Sequence, residues 1–224
     1  MPNPQSILAN LTMIANEATT VAIVWHGLTL IAVVALVIGW RPSRRRAGAL
    51  LAAPVASASL VAFVYGNPFN GVLLGGLAVA LIGIASRLGS RPVERGSTVS
   101  TAMGVATIAF GWLYPHFLES GAASRYLFAA PTGLIPCPTL SLVIGFALLA
   151  GGLGSRTWSL ALALVGLFYG LFGVARLGVP LDVILTGSAA GLLVVALALP
   201  RRRSHAAALR DASAVHVRRT APIP

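Results

Sequence analysis

Seven apolar stretches, each near the length that crosses a lipid bilayer, follow one another between Thr20 and Leu199. They lie near residues 20–40, 47–65, 71–86, 99–114, 138–154, 157–175 and 181–199. Short polar or basic connections separate them. The composition leaves few other ways to fold: 57% of the 224 residues are hydrophobic and 9% are charged. A soluble domain carries about a quarter charged residues to cover its surface. An apolar excess of this size is stable against lipid, where only helices and closed barrels satisfy their backbone groups. The expected fold is all-α, a polytopic transmembrane bundle of about seven spans over residues 20–200. It lies between an N-terminal segment, 1–19, and a basic tail, 201–224.

The distribution of charge gives this bundle a direction. All 16 basic residues are arginine. With the N-terminus outside, 14 of them fall in cytoplasmic segments, leaving Arg125 and Arg176 outside. Such a bias orients a polytopic protein. The expected location is therefore the cell (inner) membrane, multi-pass, with the bilayer as partner and the C-terminus in the cytoplasm. Trp40 and Trp158 are expected as interfacial anchors at the inner ends, and Tyr65, Trp112 and Tyr114 at the outer ends. The net charge of +11 does not imply nucleic acid, because no aromatic side chains interleave the arginines as base-stacking platforms. The first 20 residues contain no basic residue, so no cleaved secretory signal is expected.

Several helices carry small residues at four-residue spacing, at Gly71/Gly75, Gly166/Gly170 and Gly187/Gly191, with Gly104, Gly111 and Gly145 in addition. This spacing lets helix backbones approach closely, within one bundle or between copies. The segment from Phe117 to Pro136 is the longest connection between spans. It is apolar enough to lie on the membrane surface or to re-enter it.

With this topology the reactive side chains sort by side. His26, His116, Glu119, Cys137 and Asp182 fall in the outer half, with Glu17, whereas Glu94, His205, Asp211 and His216 lie among inner arginines. His26 sits within the first span, where an imidazole needs either a functional partner or a neighbouring carbonyl. Cys137 opens the fifth span between two prolines, a position where free N–H groups favour a thiolate. It can equally be a small apolar residue in a helix-start motif. His116 and Glu119 share a face if one helical turn continues there. Asp182 follows Pro180 at the start of the seventh span, with Arg176 as a possible ion-pair partner. Together the five supply ligand types that suit Zn²⁺ or Cu⁺, although no HxxxH or HExxH spacing marks a metal site.

The segment Gly133-Leu134-Ile135-Pro136-Cys137-Pro138-Thr139 resembles the signature of a bacterial family of multi-pass membrane proteins that has no assigned activity. Tyr114-Pro115 and Val179-Pro180-Leu181-Asp182 resemble that family as well, so the likeness covers roughly residues 110–195. Leu140 and Ser141 stand where the family often has a phenylalanine. The resemblance implies a multi-span membrane protein and no particular chemistry. Three functions fit the residues. The first is a small transporter or ligand- or metal-handling protein with an outer-leaflet pocket. The second is a membrane enzyme using a Cys/His site. The third is a non-catalytic subunit or assembly factor bound to a membrane-protein partner.

Overall fold

Apolar runs punctuated by proline, glycine and Ser/Asn caps become helices in the computed structural model, which describes residues 3–118 and 124–200. Nine helices form among them: α1 (Pro4–Glu17), α2 (Thr19–Val37), α3 (Arg44–Val64), α4 (Pro68–Ala85), α5 (Thr98–Leu113), α6 (Arg125–Phe128), α7 (Pro136–Leu149), α8 (Arg156–Ala175) and α9 (Asp182–Ala198). Ser43, Asn67, Ser97 and Ser155 start α3, α4, α5 and α8 by accepting hydrogen bonds from first-turn backbone N–H groups. Four helices, α2, α3, α4 and α8, are long and apolar enough to cross a membrane; α5, α7 and α9 are equally apolar but shorter. The tail 201–224, with His205, Asp211 and His216, and the candidate Glu119 lie outside the described residues.

The chain runs up and down between two ends. One is rich in arginine, holding Arg41, Arg44, Arg45, Arg46, Arg87, Arg91, Arg95 and Arg156. At that end an antiparallel bridge between Ser43 and Pro92 ties the 38–43 and 87–97 connections together. Arg44 pairs there with Glu94 at 2.7 Å. The opposite end carries α1, the α3–α4 turn, residues 114–118 and 124–135 of the connection between α5 and α7, and the α8–α9 turn.

Glycine sets how closely the antiparallel neighbours pack. A Cβ at Gly104 would lie 2.7 Å from the Gly145 carbonyl, and one at Gly111 would lie 2.8 Å from Leu142 N, so α5 and α7 meet backbone to backbone. A Cβ at Gly170 would come within 2.8 Å of Thr186 N, which brings α9 equally close to α8. Gly71 and Gly75 face Phe63 and Ser59 of α3, whereas Gly187 faces open space. Two of the three spaced glycine pairs serve contacts within the chain at both positions, and the third does so at Gly191, which packs on Met103 of α5.

The centre of the bundle is α7. Every residue from 129 to 148 is buried, including the non-helical stretch before the helix. Residues 129–135 of the connection thus enter the protein, whereas 124–128 are exposed or half-buried. The polar backbone of the buried part is satisfied from the walls: Thr132 Oγ1 donates to Gly111 O, Ser57 Oγ donates to Gly133 O, and Gly133 N–H donates to Thr139 Oγ1. At its other end α7 stops at Leu149 and passes into a left-handed turn, Gly151–Gly154, in which Leu153 also has positive φ.

Two expected interfacial anchors turn inward. Trp158 and Tyr114 are fully buried, because Gly48 leaves space for the indole and the phenol finds a buried polar partner. Trp40 is exposed.

Candidate functional site

Asp182 begins α9 and is 1% exposed. Such a carboxylate has lost its hydration, which costs several kcal/mol unless donors replace the water. Two side chains do so. Tyr114, at the C-terminal cap of α5, donates from its hydroxyl to Asp182 Oδ1 at 2.6 Å. Cys137, in the first turn of α7, donates from Sγ to Oδ2 at 3.2 Å. Gly173 of α8 makes room for the carboxylate, since a Cβ there would overlap it. Four helices thus converge on one acid.

No basic side chain among the described residues comes within ion-pair distance of Asp182, although His116 is near enough to act on it electrostatically. The expected partner Arg176 makes no such pair. The α8–α9 turn points Asp182 into the bundle, while Arg176 stays exposed at the end of α8.

The surroundings hold the three groups in place. Thr139 Oγ1 donates to Ile135 O and accepts from Gly133 N–H, locking the loop onto the first turn of α7. Proline at the first helical position sacrifices no hydrogen bond there. Tyr169 of α8 donates to Asn70 Oδ1 of α4 at 3.0 Å, adding a second buried polar link at this end. Phe117 stacks on Tyr114, with ring centroids 6.2 Å apart, and adopts the left-handed region at φ 74°. Its carbonyl accepts from Asn16 Nδ2. Asn10 of α1 donates to Tyr65 O and accepts from Asn67. With Leu11, Ile14 and Ala15 buried, α1 closes this end of the bundle.

The remaining candidates go elsewhere. His26 is buried on α2 with Nδ1 2.8 Å from Ala22 O and Nε2 3.0 Å from Trp112 O, its ring edge-on to the Trp112 indole. Each nitrogen faces a backbone carbonyl, and a neutral imidazole, with one N–H, donates to one of them at a time; through Nε2 the ring ties α2 to α5. His116 packs edge-on against Phe117. Among the described residues no three His, Cys, Asp or Glu side chains converge as metal ligands.

The geometry bears on Cys137 directly. A sulfur that donates to a carboxylate carries its proton, and at 8% exposure little solvent reaches it. The thiol in the folded protein is therefore expected to react with a water-soluble maleimide on the order of 100-fold more slowly than after unfolding. Equal rates in the two states would show that the thiol is open and free of Asp182.

Tyr114 and Gly173 are the members of the site that sequence reasoning passes over. A tyrosine at a span end looks like an interfacial anchor, and a lone glycine carries no chemical signal. The Tyr114-Pro115 and Pro180-Leu181-Asp182 segments, far apart in the chain, were the available hint. Compared with protein-family models, curated proteins and solved structures, the chain matches none of them.

Proposed function

We propose that the chain is an integral membrane protein of seven crossings, with its N-terminus outside and its arginine-rich end in the cytoplasm, and that it is a small transporter whose Asp182 site takes up and releases protons. Seven apolar helices alternating between two ends support the crossings, and the one-sided arginines support the orientation. The 14-residue α7 spans about 21 Å, short of the roughly 30 Å hydrocarbon core. Its buried lead-in and left-handed turn supply the missing length inside protein.

A single observation carries the functional reading: a carboxylate 1% exposed at the start of α9, held by a hydroxyl and a thiol, with no ion-pair partner among the described residues. Ionisable groups within membranes mark ion and proton paths by default. A proton needs no added room and removes the buried charge.

The test is proton uptake into vesicles containing purified protein, read by a trapped pH-sensitive dye under an imposed gradient. Wild type is expected to acidify the lumen above the rate of empty vesicles, and Asp182→Asn to return to that rate. Asparagine preserves the acceptor for Tyr114 but has no titrating carboxyl. Equal rates for wild type, Asp182→Asn and empty vesicles would overturn the proposal.

A further inference from the structure

At the arginine-rich end, α2 separates from the rest of the bundle. Its outer half is pinned by Trp25 Nε1 donating to Ser57 Oγ and by the His26 contact to Trp112 O. Among the described residues no side-chain hydrogen bond holds its second half. Gly39, at φ 96°, and the 38–43 connection carry the chain away before α3 begins. The result is a groove of about 470 Å³ between the second half of α2 and the faces of α3, α5 and α7. This volume lies within the roughly 300–1,000 Å³ of sites that hold drug-sized ligands.

The walls are apolar, with Leu36, Leu51, Val105 and Phe146 on three sides. The mouth is not: Arg41, Glu94 and Arg95 line it. Glu94 is already paired with Arg44, and neither Arg41 nor Arg95 has a carboxylate within ion-pair distance among the described residues. From Val37 back to Ala32 the groove follows α2 for about 8 Å, with Arg41 beyond the helix end at its mouth. An apolar slot of that depth, ending at two uncommitted guanidinium groups, has the polarity of one molecule type. We infer that it binds an anionic phospholipid, with an acyl chain along α2 and the phosphate between Arg41 and Arg95. Arginine suits phosphate because its planar fork bonds two oxygens at once.

This inference rests on the membrane reading, though not on the Asp182 site. The experiment is native mass spectrometry of delipidated protein titrated with phosphatidylglycerol or phosphatidylcholine. One phosphatidylglycerol is expected to bind with clear preference over phosphatidylcholine. The double variant R41Q/R95Q, on exposed positions, is expected to weaken that binding roughly 10- to 30-fold. V105W, which fills the groove with an apolar ring, is expected to remove it, and glycerol 3-phosphate is expected not to compete. Equal affinity for the two lipids, unchanged affinity in R41Q/R95Q, or displacement by glycerol 3-phosphate would each overturn the inference. Alkaline carbonate extraction separates its failure from that of the membrane reading: protein that stays in the pellet without lipid preference defeats the groove alone, and protein that is released defeats both.

Discussion

Asp182→Ala is expected to destabilise the protein by roughly 2–4 kcal/mol, as the sum of two orphaned buried donors at about 1–3 kcal/mol each, less the relief of a desolvated charge. The donors are the Tyr114 hydroxyl and the Cys137 thiol, in a site where Tyr114 has no exposed surface and Cys137 very little. Chemical unfolding in detergent micelles reads the change. The double variant Asp182→Ala with Tyr114→Phe gives the sharper measurement. Removing the hydroxyl along with its acceptor leaves one orphan fewer, so the second substitution should cost less in the alanine background than in wild type. Strict additivity would mean that Tyr114 and Asp182 do not interact, and the carboxylate would lose one of its two supports.

The seven apolar helices were legible because each is a long apolar run bounded by polar, basic, glycine or proline residues. Their lateral arrangement was not. A helix with a polar outer face shows its buried face as an apolar stripe, but here exposed and core-facing positions are apolar alike. α2 and α7 illustrate the consequence: both are uniformly apolar runs, yet α7 is buried on every side while little of α2 is. The pairing of Cys137 with Asp182 bridges 45 residues of sequence and depends on that arrangement, so side-of-membrane reasoning gathered both residues without joining them. The same reasoning gathered His26, whose partners are backbone carbonyls that any sequence provides. α1 had a readable signal that the long apolar runs overshadow: Asn3 and Pro4 as cap and first residue, then Ile7, Leu8, Leu11, Ile14 and Ala15 at helical spacing.

Gly133→Ala is expected to be the most damaging single-methyl change in the chain, costing about 3 kcal/mol or more from the two mechanisms combined. The first is local. Gly133 sits at φ 76°, in the left-handed region that a Cβ disfavours by roughly 1 kcal/mol. The second is steric, because the added Cβ would run into the Trp25 indole, overlapping its five-membered ring. Neither partner can give way cheaply. The indole N–H is committed to Ser57 Oγ, whose own proton goes to the Gly133 carbonyl, so moving Trp25 undoes a relay that joins α2, α3 and the buried loop. Moving the loop instead breaks the Gly133 N–H bond to Thr139 and shifts the first turn of α7, which carries Cys137. Two readouts distinguish these responses. If Trp25 yields, its fluorescence shifts while Cys137 stays protected from maleimide; if the loop yields, Cys137 becomes reactive. A variant with wild-type stability, fluorescence and thiol protection would mean that Gly133 is not packed against Trp25, and the fixed entry of the loop into the bundle would have to be given up.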